Sequence, residues 1–240
     1  MGNQRLRDVF PAIEATLAAG KLPIVVFDLD STLFSTAERN LRILHEFAIE
    51  HENEHPILRE VVPTLGLNDM GWNIYQSLED RGVSNPGLGE ALKAYWFDRF
   101  FTDDYCFTDA ATAGAPEYVM RVHSAGALIY YLTGRHVGGM ELGTIRSLRE
   151  HGFPFWRGRC SIHLKPSFEM EDRAFKDDAL NDIRSYHGAV VATFENEPGN
   201  ANMFREAFPK ALHYLLETVN APEPEAPHEE LILTPDFVLP

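Results

Sequence analysis

The clearest hydrophobic pattern in the chain is a short, continuous apolar run that is followed at once by acids. Residues 24–27 are Ile, Val, Val and Phe, and Asp28 and Asp30 come directly after them. An unbroken, mostly β-branched run of this length is typical of a strand buried on both faces, as in a parallel sheet. In open α/β sheets, ligands and chemistry are found at the carboxyl ends of the strands. The pattern therefore predicts a buried strand with two carboxylates at its functional end.

Helical periodicity dominates both sides of that strand up to about residue 110. Apolar residues fall on one side of a helix over 3–20 and form a second stripe over 37–51, and further helical segments are expected at 71–80 and 88–101. No convincing strand pattern occurs between about 35 and 110. The sequence thus predicts that some seventy residues of helix are inserted directly after the first strand.

From residue 115 onward, helix and strand patterns alternate. The expected order is a helix at 115–126, a strand at 127–136, a helix at 140–152, a strand at 159–166, a helix at 173–188, a strand at 189–198 and a helix-like segment beginning at 204–211. Such a succession predicts an α/β fold, with a Rossmann-like parallel sheet and helices on both of its faces. The segment 221–240 is rich in proline and glutamate at its start, which predicts an extended tail whose last residues could dock on the body.

Asp28 and Asp30 carry the first chemical prediction. Two carboxylates one residue apart at the end of a buried strand repel each other, so either one is protonated or a cation lies between them. Side chains alternate along an extended segment, which places both on the same side of the chain. One carboxylate could act as a nucleophile while the other transfers a proton.

Two later strands end in residues suited to the same chemistry. Thr133, Gly134 and Arg135 end the strand that begins at 127. The hydroxyl of Thr133 could hold a phosphate, Gly134 permits close approach of the backbone, and Arg135 either reaches the phosphate or substrate or pairs with a surface acid. The strand that begins at 189 ends in Glu195 and Asn196, whose oxygens suit Mg²⁺.

The stretch F-D-L-D-S-T at 27–32 resembles the first motif of the haloacid dehalogenase-like (HAD) superfamily, D-x-D-x-T, in its phosphatase form. The resemblance implies that Asp28 is phosphorylated, that Asp30 is the general acid/base and that both contribute to a Mg²⁺ site. It also implies that Thr133 belongs to the second motif, and that helices inserted after the first strand form a C1 cap over the site.

The resemblance leaves two points open. The third motif supplies one lysine, and both Lys176, at the start of a helix, and Lys165, in an H-L-K-P strand end, fit it; the helix position favours Lys176. In the fourth motif, Glu195 stands where Asp is usual and Asn196 where a second Asp often stands. Glu197 and Asn200 are further candidates for that metal site.

The composition of the chain limits the classes of partner that the protein is expected to bind. The chain has 240 residues and a formal net charge of −15, from 36 acidic and 21 basic residues. So acidic a chain is poorly suited to bind nucleic acid or an anionic membrane, both of which require clustered Lys and Arg. Its two cysteines, Cys106 and Cys160, have neither zinc-site nor disulfide spacing, which fits a cytoplasmic location. The expected partner is a small phosphorylated substrate, and the oligomeric state is left open.

These observations lead to one functional prediction. The expected domains are an α/β core formed by residues 1–34 and 108–220, a helical C1 cap at 35–107 and an extended tail at 221–240. The expected activity is Mg²⁺-dependent hydrolysis of a small phosphomonoester through an aspartyl-phosphate. A phosphomutase would share the same core residues, and a non-catalytic phosphate-binding or regulatory module is the alternative outside enzymes.

Overall fold

The computed structural model of the protein describes residues 2–156 and 158–240. Eight strands occur within those ranges: β1 Pro23–Phe27, β2 Phe34–Ser35, β3 Ala110–Ala111, β4 Leu128–His136, β5 Cys160–Lys165, β6 Ala189–Glu195, β7 Leu212–Leu216 and β8 Ile232–Thr234. Six of them form one sheet in the order β5-β4-β1-β6-β7-β8, and every neighbouring pair is parallel. Strand β1 therefore lies inside the sheet, with β4 on one side and β6 on the other. The expected α/β fold with a parallel sheet is confirmed.

Helices connect the strands and cover the sheet. In chain order they are α1 Gly2–Arg5, α2 Val9–Ala18, α3 Ala37–His51, α4 Leu58–Val61, α5 Ile74–Glu79, α6 Pro86–Phe100, α7 Asp103–Cys106, α8 Ala115–Ser124, α9 Val137–Glu150, α10 Asp172–Ser185 and α11 Pro198–Ala207. Short 3-10 turns lie at Leu6–Asp8, Val62–Thr64 and Leu67–Asp69. In the described part of the chain, no helix is both long and apolar enough to cross a membrane.

The sheet is buried because its strands are apolar on both sides. Side chains that alternate along β1 enter two different cores: Val25 and Phe27 pack with α2 and α8, whereas Ile24 and Val26 pack with α10 and α11. Burial of both faces explains why β1 is a continuous apolar run instead of an alternating one. The layers are thus helix, sheet and helix, as expected for a Rossmann-like core.

The helices between β2 and β3 have a hydrophobic core of their own. Buried residues of α3, α4, α5 and α6 pack together there, among them Phe47, Leu78, Leu92 and Tyr95. The short antiparallel pair β2–β3 joins the two ends of this helical segment. Most aromatic residues of 92–107 lie in or against this cluster, or stack on one another as Trp96 and Phe100 do. The division of the chain into a core and a cap stays a prediction.

The C-terminal part of the fold differs from expectation. The last helix was expected to begin at 204–211, but α11 begins at Pro198 and ends at Ala207, and the strand β7 that follows was not foreseen. The segment 221–240 was expected as an extended tail whose last residues could dock on the body. They do dock, and they contribute β8 to the main sheet, which was not expected. Strand β8 has only three residues and pairs on one side alone, so its local pattern was too short to predict a strand. Phe237 is buried and its backbone N–H donates to the Ala113 carbonyl, which anchors the chain end.

Candidate active site

The two aspartates that follow β1 lie at the carboxyl edge of the sheet. The backbone N–H of Asp28 donates to the Phe194 carbonyl of β6 at 3.0 Å, so Asp28 continues the ladder. Ser31 then takes a positive φ of 57°, which turns the chain back towards Phe34. The backbone thus leaves the sheet directly after Asp28 and presents Asp30 on the resulting loop.

Asp28 belongs to a buried cluster with Lys176 and Glu195. The ammonium of Lys176 lies 2.8 Å from Asp28 Oδ1 and 2.8 Å from Glu195 Oε2. All three side chains are less than a tenth exposed. Register explains the contact, since Phe27 of β1 pairs with Phe194 of β6 and the acids are the next residues on each strand. Helix α10 then carries Lys176 over this edge.

This cluster changes the ionisation of its members. Burial, and next the negative charge of Glu195, raise the pKa of Asp28 from its usual 3.8 to about 8, against the opposing effect of Lys176. Burial alone would lower the pKa of Lys176, but Asp28 and Glu195 outweigh it and raise that pKa. If both carboxylates were ionised, the single ammonium would leave one negative charge uncompensated. The raised pKa of Asp28 means that a proton offsets this charge in the metal-free protein, and a bound cation would take the place of that proton.

The other candidates for the fourth motif are Asn196, Glu197 and Asn200, and they lie outside the cluster of Asp28, Lys176 and Glu195. Asn196 accepts from the hydroxyl of Thr32 at 3.3 Å and donates from Nδ2 to the Val219 carbonyl at 2.7 Å, so its amide holds two loops together. Glu197 accepts from the backbone N–H of Ala221 at 2.8 Å, and burial raises its pKa. Asn200 lies in α11. None of these three contacts Asp28 through a hydrogen bond that the structure describes.

Asp30 belongs to a second charged cluster. Its Oδ1 accepts from Arg135 Nε at 3.1 Å and Nη2 at 2.5 Å, and from Arg39 Nη2 at 3.2 Å. Asp109 joins both arginines, at 2.9 Å from Arg39 Nε and 2.7 Å from Arg135 Nη2. Burial would raise the pKa of Asp30, but Arg135 and Arg39 outweigh it and hold the pKa at about 2.

Thr133, Gly134 and Arg135 lie where the sequence placed them, at the end of β4. Tyr131 pairs with Phe27 of β1, so Thr133 lies at the same edge as Asp28. The Thr133 hydroxyl accepts from the Arg135 backbone N–H at 3.2 Å, and a Cβ on Gly134 would lie 2.9 Å from an Asp172 oxygen. Of the two expectations for Arg135, pairing with an acid describes its contacts. Its partners are not surface acids, however, because Asp109 is buried, Asp30 is partly buried and both belong to the second cluster.

The two candidate lysines occupy different places. Lys165 ends β5 and donates to Asp172 Oδ1 at 2.6 Å, beside the ring of Phe168. Asp172 is one turn before Lys176 on the same side of α10, which places Lys165 next to the Asp28 cluster but without a hydrogen bond to it. Only Lys176 contacts both carboxylates among the described residues.

Sequence reasoning missed Arg39 and Asp109. Arg39 lies in the first turn of an amphipathic helix and Asp109 just before a two-residue strand, and a charged residue is usually solvated at such positions. Both are fully or almost fully buried. Neither residue belongs to a recognisable sequence motif. Their hydrogen bond joins positions seventy residues apart in the chain, so no local pattern predicts it.

The residues at the first cluster fit Mg²⁺. Asp28 and Glu195 supply oxygen donors, which hard divalent cations prefer. The resemblance to the HAD superfamily implies the backbone carbonyl of Asp30 as a further donor. Among residues 2–156 and 158–240, no three His, Cys, Asp or Glu side chains meet in a way that could hold a metal. A bound Mg²⁺ would therefore take its other ligands from water and substrate, as this ion commonly does.

Comparison of the coordinates with solved structures identifies the fold. A HAD-superfamily hydrolase of subfamily IA from Geobacter sulfurreducens superposes with a TM-score of 0.51 at 13% identity, over 90% of this chain and 93% of that one. This chain has the haloacid dehalogenase-like fold. A provisionally assigned phosphatase from Clostridium difficile gives a TM-score of 0.53 at 12% identity, over 85% of this chain and 89% of that one.

Other similarities to known proteins are weaker. The class C acid phosphatase from Bacillus anthracis reaches a TM-score of only 0.42 at 16% identity, and the match covers 82% of this chain and 64% of the other. The present chain therefore spans less than two thirds of that protein's length. The sequence matches no protein-family model and no curated protein. Structural similarity at these identities establishes the HAD-like fold and leaves the activity to the chemistry of the site.

Proposed function

We propose that this protein is a Mg²⁺-dependent phosphohydrolase that acts on a small phosphomonoester through an aspartyl-phosphate on Asp28. The observation that carries the proposal is the ammonium of Lys176, 2.8 Å from both Asp28 and Glu195 at the carboxyl edge of the sheet. A nucleophilic carboxylate, a fixed cation and an oxygen-only cation site are the parts that phosphoryl transfer needs. HAD-like structures that include hydrolases and a provisionally assigned phosphatase support a hydrolase in general.

In the proposed first step, an oxygen of Asp28 attacks phosphorus, and the bond from phosphorus to the leaving oxygen breaks. Asp30 gives its proton to that leaving oxygen. Lys176 and the Thr133 hydroxyl lie at the same edge, where they would stabilise charge on the phosphoryl oxygens. When bound between Asp28, the Asp30 carbonyl and Glu195, Mg²⁺ would neutralise charge on the phosphoryl group and on these carboxylates.

In the proposed second step, Asp30 accepts a proton from water, which attacks phosphorus and releases Asp28. Arg39 and Arg135 favour the ionised form of Asp30, so this base step matches the resting charge of the carboxylate. The acid step is the more demanding of the two, because the arginines oppose the proton that it requires.

The experiment that tests the proposal is a phosphate-release assay over a panel of small phosphomonoesters, with Mg²⁺ and with EDTA. We expect release that depends on Mg²⁺ and is lost in Asp28→Asn. Asp182→Asn, which removes a half-exposed carboxylate from α10, is the matched control and should keep wild-type activity. Absence of phosphate release from every ester, or full activity in Asp28→Asn, would contradict the proposal.

The phosphomutase alternative shares every residue of the proposed first step. It predicts an isomerised phosphate ester as the product in place of free phosphate, so product analysis in the same assay separates the two. Magnesium-dependent phosphate release would also exclude the non-catalytic phosphate-binding module.

The other expectations remain predictions. A small phosphorylated compound is the proposed partner, and the absence of nucleic-acid and membrane partners is inferred from the net charge of −15. The cytoplasmic location is proposed because Cys106 and Cys160 are both free thiols.

A further inference from the structure

Arg39 connects the helical insertion to the candidate acid/base. It lies on α3, the first helix after β2, and its side chain is fully buried. Its guanidinium donates to the Asp109 carboxylate through Nε and Nη2, to the Phe100 carbonyl at 3.1 Å through Nη1, and to Asp30 Oδ1 at 3.2 Å through Nη2. All three guanidinium nitrogens are therefore engaged, and the planar group has little freedom to rotate.

The contacts to Asp30 all converge on one of its two oxygens. Arg39 Nη2 and Arg135 Nε and Nη2 donate to Oδ1. No hydrogen bond within the described residues involves Oδ2, and the Asp30 side chain is 32% exposed. One oxygen is thus fixed while the other is available to a substrate or water. A carboxylate that exchanges protons at a defined point requires this arrangement.

Asp109 makes the arrangement stable. It is buried and accepts hydrogen bonds from both Arg39 and Arg135, so the four side chains carry two positive and two negative charges. Without Asp109, two guanidiniums would share the single Asp30 carboxylate in a buried environment, which is costly. The balance explains how two buried arginines can lie next to each other at this site.

We propose that Arg39, held by Asp109, is a positioning residue that orients the Asp30 carboxylate for proton transfer to the leaving group. This inference rests on the proposed function, because it gives Asp30 an acid role. It adds that an arginine of the helical insertion, α3, completes the core's acid/base, so the placement of that helix and the geometry of Asp30 are linked.

The dependence on leaving group distinguishes positioning from a merely structural role. An alkyl phosphate releases a strongly basic alkoxide that needs a proton, whereas p-nitrophenyl phosphate releases a weakly basic phenolate that does not. The value of kcat/KM reports steps up to the first irreversible one, which includes loss of the leaving group. A displaced Asp30 should therefore lower kcat/KM for the alkyl ester and spare that for the aryl ester.

Arg39→Met is the main variant, because it removes every donor and keeps an unbranched side chain. It leaves a buried negative charge, so the double variant Arg39→Met/Asp109→Asn, in which Arg135 and Asp30 balance each other, is measured in parallel. Loss of Arg39 makes Asp30 easier to protonate, but we expect the lost orientation to outweigh this gain, so that kcat/KM for an alkyl phosphate falls about 10- to 100-fold in both variants. For p-nitrophenyl phosphate it should fall by less than about threefold. Arg39→Lys, which restores the charge without the fork, should recover part of the loss.

Arg42→Gln is the matched control. Arg42 lies on the same helix, pairs with Glu46 and lies over the Tyr105 ring, away from Asp30. It should leave both kcat/KM values unchanged. Circular dichroism establishes that each variant is folded before its kinetics are compared.

The outcomes separate the two levels of inference. Three results would assign Arg39 a structural role and overturn the positioning proposal alone. They are equal losses on both esters, no loss on the alkyl ester, and failure of both Arg39→Met and the double variant to fold. Absence of phosphate release by the wild-type chain from either ester, and from the wider panel, would instead overturn the proposed function together with this inference.

Discussion

Asp28 and Asp30 are separated by one residue, yet their surroundings push them in opposite directions. Asp28 is buried beside Glu195 with one ammonium to share, and its pKa rises to about 8. Asp30 lies beside two guanidiniums, and its pKa falls to about 2. The same residue type thus acquires two different ionisation behaviours from neighbours that come from different parts of the chain.

The two clusters also differ in how they are built. Lys176 and Glu195 come from α10 and β6 of the sheet region, and together with an ionised Asp28 they would carry one net negative charge. Arg39 and Asp109 come from the helical insertion and its return to the sheet, and together with Arg135 and Asp30 they carry no net charge. A bound cation would therefore complete the charge balance of the first cluster. The second cluster holds Asp30 through its own two guanidiniums and needs no bound cation. In the metal-free protein the difference in pKa between the two aspartates opposes the proposed roles, because Asp28 must be ionised to attack phosphorus and Asp30 must be protonated to act as an acid.

The largest expected loss of activity follows from a substitution in the first cluster. Asp28→Asn removes the proposed nucleophile while Asp30 and its arginines remain, so turnover should fall by on the order of 10³-fold or more. Initial rates of phosphate release at saturating Mg²⁺ measure the loss. A variant that retains wild-type turnover would show that the cluster is not the reacting centre.

The next effect distinguishes the two candidate lysines. Lys176→Met should lower kcat by about 10²- to 10³-fold, because a fixed cation at the phosphoryl oxygens is lost. Lys165→Met should lower it by less than about tenfold, since Lys165 pairs with Asp172, whose side chain is 62% exposed. The same assay applied to both variants measures the difference. The reverse ranking would make Lys165 the functional lysine.

A smaller effect concerns the cation. Glu195→Gln keeps the shape of the side chain and removes its charge, so the Mg²⁺ concentration for half-maximal activity should rise at least about tenfold. Titration of activity with Mg²⁺ measures it. Glu197→Gln is the matched control, because Glu197 bonds to the Ala221 backbone instead of Lys176. An equal shift in both variants would argue against a direct role for Glu195.

The smallest expected effect concerns stability. The lowered pKa of Asp30 stabilises the fold above its unfolded value of 3.8, and this contribution is lost as the pH falls through about 2. Asp30→Asn should therefore reduce the free energy of unfolding at about pH 6 by on the order of 1 kcal/mol, a reduced figure because the side chain is 32% exposed.

For Asp28 the pKa is shifted in the opposite direction, so its effect on stability is also opposite. Its raised pKa means that ionisation above the unfolded value of 3.8 opposes folding of the metal-free protein. Asp28→Asn should thus leave that protein as stable as the wild type, or more so, at about pH 6. Urea unfolding in EDTA at about pH 6 and at about pH 3 measures both variants. A loss of stability in Asp28→Asn as large as that in Asp30→Asn would remove the contrast between the two clusters.

Much of the sheet and one cluster could be predicted from local patterns. The apolar run at β1 predicted a buried strand, and the polar residues after β1, β4 and β6 predicted an edge where side chains meet, because parallel strands align their carboxyl ends. Lys176 was favoured over Lys165 through the resemblance to the HAD superfamily, whose lysine usually lies at the start of this helix. Strands β7 and β8 were missed, because strands of five and three residues are too short to show a clear hydrophobic periodicity.

What the sequence by itself determined is the identity and order of the candidate reacting groups, because Asp28, Asp30, Thr133 and Glu195 each lie at the end of a recognisable apolar strand. Only the tertiary structure decided which charges face which. Arg39 and Asp109 are seventy residues apart and have no motif, and they meet Asp30 only when the helical insertion packs against the sheet. Charge pairing acts through space over a few ångströms, so no local pattern in the chain can specify it.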